Sequence, residues 1–238
     1  AGQQLWKRCW KRSLTGPIGG DGDMLTVLGH RTSFNVQKVT WLLDEIDLPF
    51  RHIELGGKFG GLDTPEFRMH NPHGKVPVLK DGDHVVWESH AIMRYLAANY
   101  AADRFWSDDP AIRSPVDQWM DWSLSTLQHD FLNGVFWGYY RTPEEDRNWP
   151  AINASLAKCA GHFRLLDAML SDRENLLGGT LSLADLVIGA HLYRYANLDI
   201  DKPVLPNLDG WYQRLCERPA YQKNVMIPFD DLYGKLSF

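Results

Sequence analysis

The chain has 238 residues, a formal charge of −5 and a pI near 6.0, which argues against broad nucleic-acid binding because that needs a basic face. Hydrophobic residues make up 44% and charged residues 23%, enough apolar side chain for a substantial core in a length that suits one large domain or two small ones. No stretch approaches the roughly 18–20 uninterrupted apolar residues of a membrane span, and Cys9, Cys159 and Cys216 fit reduced cytoplasmic thiols better than a disulfide framework or a zinc site.

The first 23 residues stand apart. Trp6 to Arg12 is basic and aromatic, Thr15 to Asp23 is Gly-rich without periodicity, and the segment carries +2 against −7 for the rest. It lacks the apolar region and small-residue cleavage site of a secretory signal. Residues 1–23 are therefore expected to be an extension, disordered or non-native, and its four basic residues make only a weak membrane- or nucleic-acid-touching arm.

From Met24 strand and helix signals alternate. Leu25 to Leu28 is a short apolar run ending at Gly29, read as a buried strand. Ser33 opens a helix over Phe34–Ile46, with Val36, Val39, Leu42, Leu43 and Ile46 on one face, closed by Asp47-Leu48-Pro49. Phe50 to Leu55 alternates as a second strand. A Gly-rich loop follows, then a short helix start at Thr64-Pro65-Glu66. Val76 to Lys80 and His84 to Trp87 form a hairpin about Asp81-Gly82-Asp83. Glu88-Ser89 opens a helix carrying Ile92, Met93, Tyr95 and Leu96. This βαβ-ββα order describes a thioredoxin-like half-domain. Asp103 to Pro110 is polar and reads as a linker. Beyond it only helical periodicity remains, over Val116–Phe136, Ala151–Leu170, Leu183–Tyr195 and Leu208–Cys216.

Three stretches carry chemistry, each with a plainer alternative. Arg31 to Val39 is a hydroxyl-rich turn between strand and helix; a helix N-terminus with an oriented hydroxyl can hold an anion such as a thiolate, and a thiol near pKa ~8.5 can be drawn towards neutrality there. Ser33 is equally a good N-cap. In Asn71 to Val78, a cis bond before Pro77 would turn the backbone of Val76 outwards, where an extended peptide can dock like an added strand. In Trp87 to Ile92, Glu88 and Ser89 can bind the amine and carboxylate of an amino-acid terminus, or simply cap the helix.

Together these stretches resemble the glutathione transferases that use serine, closest to the bacterial theta-like enzymes, over Met24 to Phe229. Ser182-Leu183-Ala184-Asp185 further resembles that family's capping box, with a role in folding. The resemblance implies a glutathione transferase fold: residues 1–23 as extension, an α/β thioredoxin-like glutathione-binding domain over 24–101, a linker over 102–112 and an all-α domain over 113–238 with the co-substrate site. It puts the thiol-activating hydroxyl on Ser33, with Asn35 nearby, Arg31 adding positive field and Thr32 as the rival hydroxyl. Val76, before Pro77, would bond the cysteinyl backbone, Lys75 would approach the glycyl carboxylate, and Glu88 and Ser89 would hold the γ-glutamyl end. Trp119, Trp122, Phe136, Trp137 and Tyr140 are the candidates for an apolar pocket.

The implied reaction is attack of a glutathione thiolate on a small apolar electrophile, with glutathione as cosubstrate and no metal. A dehalogenase, isomerase or peroxidase on the same scaffold is the alternative, as is a non-catalytic glutathione-binding regulatory protein. The implied setting is a cytoplasmic homodimer, with the helix around Val116–Trp122 meeting the partner, in detoxification.

Overall fold

A computed structural model of the chain describes residues 24–236; the expectation for residues 1–23 lies outside them. Four short strands make one sheet in the order β2-β1-β3-β4, from β1 (Leu25–Leu28), β2 (Phe50–Ile53), β3 (Val78–Asp81) and β4 (His84–Trp87). β1 runs parallel to β2, with Leu25 opposite Phe50 and Leu28 opposite Ile53, and antiparallel to β3, which pairs antiparallel with β4. The helices of this half are α1 (Phe34–Glu45), α2 (Pro65–His70) and α3 (Ser89–Tyr100). The hairpin falls where Asp81-Gly82-Asp83 places it, with Gly82 at φ 55. β3 starts two residues later than its apolar run, leaving Val76 and Pro77 outside the ladder, where a proline costs no hydrogen bond.

The polar stretch after Ala101 is more ordered than a linker. Ala102–Phe105 forms a short helix, α4, and α5 (Pro110–Trp122) starts inside the segment. The reason is local: the Asp109 carboxylate accepts the Ala111 N–H at 2.8 Å, and Pro110 takes the first helical position, where its missing donor is harmless. α5 runs on into α6 (Ser123–Arg141), a π-helical stretch. α7 (Trp149–Met169), α8 (Leu183–Asn197), α9 (Pro206–Cys216) and α10 (Pro219–Asn224) complete the helical half. The capping box at the start of α8 is present: the buried Asp185 carboxylate accepts from the Ser182 N–H, the Ser182 hydroxyl and the Leu176 N–H. No helix among the described residues is long and apolar enough to cross a membrane.

The two halves share one hydrophobic core, in which Val27, Val39 and Leu42 of the sheet half join Leu186, Val187 and Trp211 of the helical half. α1 lies between them. Gly189 lets α8 approach it closely: a Cβ there would fall 2.8 Å from Leu215 Cδ1 and 3.2 Å from Trp41 Cη2. At the far end of α1, the buried Glu45 carboxylate receives Arg104 at 2.7 Å and both Nε and an Nη of Arg218, with the Trp41 indole N–H at 3.3 Å. Burial disfavours its charged form, yet the two guanidiniums hold its pKa below the ordinary glutamate range.

Candidate functional site

The site begins where β1 ends. Gly29 has φ 148, and a Cβ on it would lie 2.5 Å from Val36 Cγ2 and 3.0 Å from Val76 Cβ, so the start of α1 and the segment before β3 converge on this glycine. The chain then turns through His30 to Ser33, which sits at the N-cap of α1 with its N–H bonded to the His30 carbonyl at 2.9 Å. Its hydroxyl makes no capping bond. Thr32 is differently placed: its hydroxyl lies 2.9 Å from His30 Nδ1, and its carbonyl accepts from Arg194 at 2.7 Å.

Ser33 opens onto a cavity of about 350 Å³ between the halves. Thr32, Phe34, Asn35 and Lys75 form one side, Gln128, Leu132, Phe136 and Trp137 of α6 the other, and Arg141 and Arg194 add two guanidiniums. Among the described residues no Asp or Glu lines it. Arg31 points elsewhere: its side chain is 61% exposed, 3.6 Å from Glu54, and lines a separate surface cavity. The guanidiniums at this cavity come from the helical half instead, with Lys75 as the sheet half's cation.

The second and third stretches meet the same edge. The Val76–Pro77 bond is cis, and the backbone hydrogen bonds of the turns and loops leave Val76 out. Asn71 shapes the turn before it, donating to the Lys75 carbonyl at 2.8 Å and accepting the His73 N–H at 3.0 Å. Glu88 holds φ 71 and ψ 119 just before α3. A non-glycine residue there costs on the order of 1–3 kcal/mol, strain of the kind found at ligand clamps. Buried Ser89 directs its hydroxyl to Asn35 Oδ1 at 3.5 Å, which joins the third stretch to the first.

Of the aromatic candidates, Phe136 and Trp137 line the cavity. Tyr140 stands behind, stacked on Phe136 at 5.4 Å with its hydroxyl on the Phe229 carbonyl. Trp119 and Trp122 pack edge to face on each other at 5.2 Å, and Trp122 faces His162, outside the cavity. The reason is distance: Phe136 lies fourteen positions beyond Trp122, roughly three to four helical turns further on.

Electrostatics come from groups that local patterning does not single out. Arg194 is buried over Phe136 at 4.4 Å and Phe34 at 5.5 Å. Burial first, then Arg141, pulls it down to about 9, still a cation at neutral pH. Arg141 covers Trp137 at 3.8 Å, donates to the Lys235 carbonyl at 2.7 Å, and is lowered by burial against the opposing pull of Asp231. His30 is kept below its usual value by burial, with Glu54 opposing and Arg194 and Arg141 adding to the shift. One turn behind Asn35, fully buried Lys38 reaches His90 Nε2 at 3.1 Å and Gln128 Oε1 at 2.9 Å. Burial lowers it to about 7, only partly opposed by Glu88. The one sequence signal for Arg194 is a cation inside an otherwise apolar run.

The chain matches the family description "Glutathione S-transferase, N-terminal domain" over residues 24–98 and "Glutathione S-transferase, C-terminal domain" over 150–214. It is 42% identical to glutathione S-transferase GstB of Escherichia coli K12, over 86% of this chain and 99% of that protein. It is 29% identical to a dichloromethane dehalogenase of Methylorubrum extorquens, over 83% of this chain and 73% of that one. A theta class glutathione S-transferase from the citrus canker pathogen Xanthomonas axonopodis pv. citri, solved with glutathione bound, superposes with a TM-score of 0.81 at 43% identity, covering 87% of this chain and 99% of that one. The chain belongs to the glutathione S-transferase family, among its bacterial theta-like enzymes.

Proposed function

We propose that Ser33 donates a hydrogen bond to the sulfur of bound glutathione and favours its thiolate, which then attacks an electrophilic carbon in the cavity between the halves. The thiol proton leaves to solvent, the carbon–sulfur bond forms, and the leaving group, a halide where the carbon carries one, departs with its electron pair. The observation that carries this reading is the Ser33 hydroxyl: it stands at a helix N-terminus, free of any capping bond, and opens onto the cavity. Thr32 is the weaker candidate because its hydroxyl already has His30 Nδ1 as a partner at 2.9 Å. Arg31 is given no part, since it pairs outward with Glu54.

The tripeptide would lie along the edge already described. Val76 bonds the cysteinyl backbone beside Pro77, Lys75 meets the glycyl carboxylate, and Glu88 and Ser89, with Asn35 behind, take the γ-glutamyl end. The apolar part of the co-substrate rests on Phe136 and Trp137. The proposed division gives 24–101 to glutathione and 113–238 to the co-substrate. A cytoplasmic homodimer remains the proposed setting, with α5 as its contact, supported by Ile112, which is 65% exposed and shares a helical face with Val116 and Trp119.

Ser33→Ala tests the central step. Losing a hydrogen bond to a charged group costs ~1.5–3 kcal/mol, so the pKa of bound glutathione, followed by thiolate ultraviolet absorbance, should rise by about one to two units. An unchanged titration would remove Ser33 from the role.

A further inference from the structure

Arg194 is a charge for which the described residues supply no acid. It is 4% exposed, its hydrogen bond goes to the Thr32 carbonyl, and among the described residues no carboxylate reaches ion-pair distance of it. A buried charge without a counter-charge costs several kcal/mol. Most of its five N–H donors remain after the Thr32 bond, and the side chain borders the cavity into which Ser33 opens. Arg141 borders the same space, with Asp231 as the acid acting on it. Lys75 stands on the opposite wall. An apolar electrophile uses none of this.

We propose that the cavity selects electrophiles carrying a carboxylate, held by the planar fork of Arg194 with Arg141 beside it, while the rest of the molecule lies on Phe136 and Trp137. A guanidinium presents parallel N–H donors that match a carboxylate's two oxygens. The cavity's lack of acidic lining and its low-dielectric aromatic walls strengthen that attraction. The carboxylate is anchored on the helical wall by a guanidinium that also bonds the turn beside Ser33, so binding it places the electrophilic carbon near Ser33. Glutathione's own carboxylates are met by Lys75 and by Ser89 on the sheet half. This inference rests on the cavity being the co-substrate site of the proposed transfer.

The test pairs two substrates with the same reacting carbon, para-(chloromethyl)benzoate and para-(chloromethyl)benzamide, each rate normalised to its uncatalysed reaction with glutathione. A charge-assisted pair is worth ~1.5–3 kcal/mol, so the normalised kcat/KM should favour the carboxylate by about tenfold or more. Arg194→Gln should bring that ratio close to one, and Arg194→Lys should leave it intermediate. A wild-type ratio of one or below overturns the proposal. So does an Arg194→Gln enzyme that slows both substrates equally, which would assign Arg194 to glutathione instead.

A binding measurement separates this proposal from the reading beneath it. Quenching of tryptophan fluorescence by unreactive para-methylbenzoate and para-methylbenzamide should show about tenfold tighter binding of the carboxylate in the unmodified protein. If that preference is present but neither chloride is conjugated, the transfer reading fails and the carboxylate site stands. If conjugation proceeds and the preference is absent, the carboxylate site fails and the transfer reading stands.

Discussion

Glu45 and Arg194 are both buried charges between the halves of this protein, at opposite ends of α1, and the fold treats them differently. Glu45 closes one end with two guanidiniums and an indole N–H around its carboxylate. Arg194 faces the other end, against the Ser33 turn, with aromatic rings and one carbonyl but no acid. The first charge is neutralised by the chain itself and ties α1 to α4 and α10. The second meets no acid among the described residues. Buried charge alone therefore does not mark a functional site; a buried charge that lacks a counter-charge and borders a cavity does.

Several substitutions would break or sharpen this contrast. Breaking a buried pair by removing one partner costs about 3–5 kcal/mol, and because Arg104 and Arg218 reach solvent, Glu45→Ala should cost about 3 kcal/mol in urea denaturation. Gly189→Ala perturbs the same packing without touching charge. With a Cβ forced within 2.8 Å of Leu215, overpacking should cost ~1–3 kcal/mol, read as a lower Tm. Arg194→Met should go the other way, neutral or stabilising by about 1 kcal/mol, while the carboxylate preference disappears. If it destabilises as much as Glu45→Ala, the contrast between the two charges is lost.

The smallest effect is on pH dependence. Lys38 titrates near 7 in the folded protein against ~10.4 unfolded, so between those values the unfolded chain binds the extra proton. Stability should then rise with pH, on the order of 1 kcal/mol from pH 7 to 8. The groups facing Lys38 are Glu88, which opposes the shift, and His90 and His191, both kept well below the usual histidine range by burial and by Lys38 itself. Lys38→Met should flatten that rise; an identical slope in both proteins would acquit Lys38.

What the sequence disclosed follows the same division. The strand ending at Gly29, the hairpin at Asp81-Gly82-Asp83 and the capping box at Ser182–Asp185 are local signals, fixed by turn chemistry and side chains within a few residues, and all three are present. Asp109-Pro110 was equally local but is ambiguous, because the same pair starts a helix or fills a linker. Trp119 and Trp122 show the limit of clustering: aromatic density finds a helix, not which stretch of it meets the cavity. Arg194 lies 162 positions from Thr32, and nearly all of α8 is buried, so no polar face betrays it. Only the tertiary fold brings it to Ser33.

The bond from Arg194 to the Thr32 carbonyl has a wider implication. In the proposed transfer, the wall that chooses the co-substrate also braces the turn that presents the serine, so reactivity and selectivity would share one mechanical strut. A chimera keeping residues 24–101 and borrowing its helices from a relative would inherit that relative's taste in electrophiles and, with it, a retuned nucleophile.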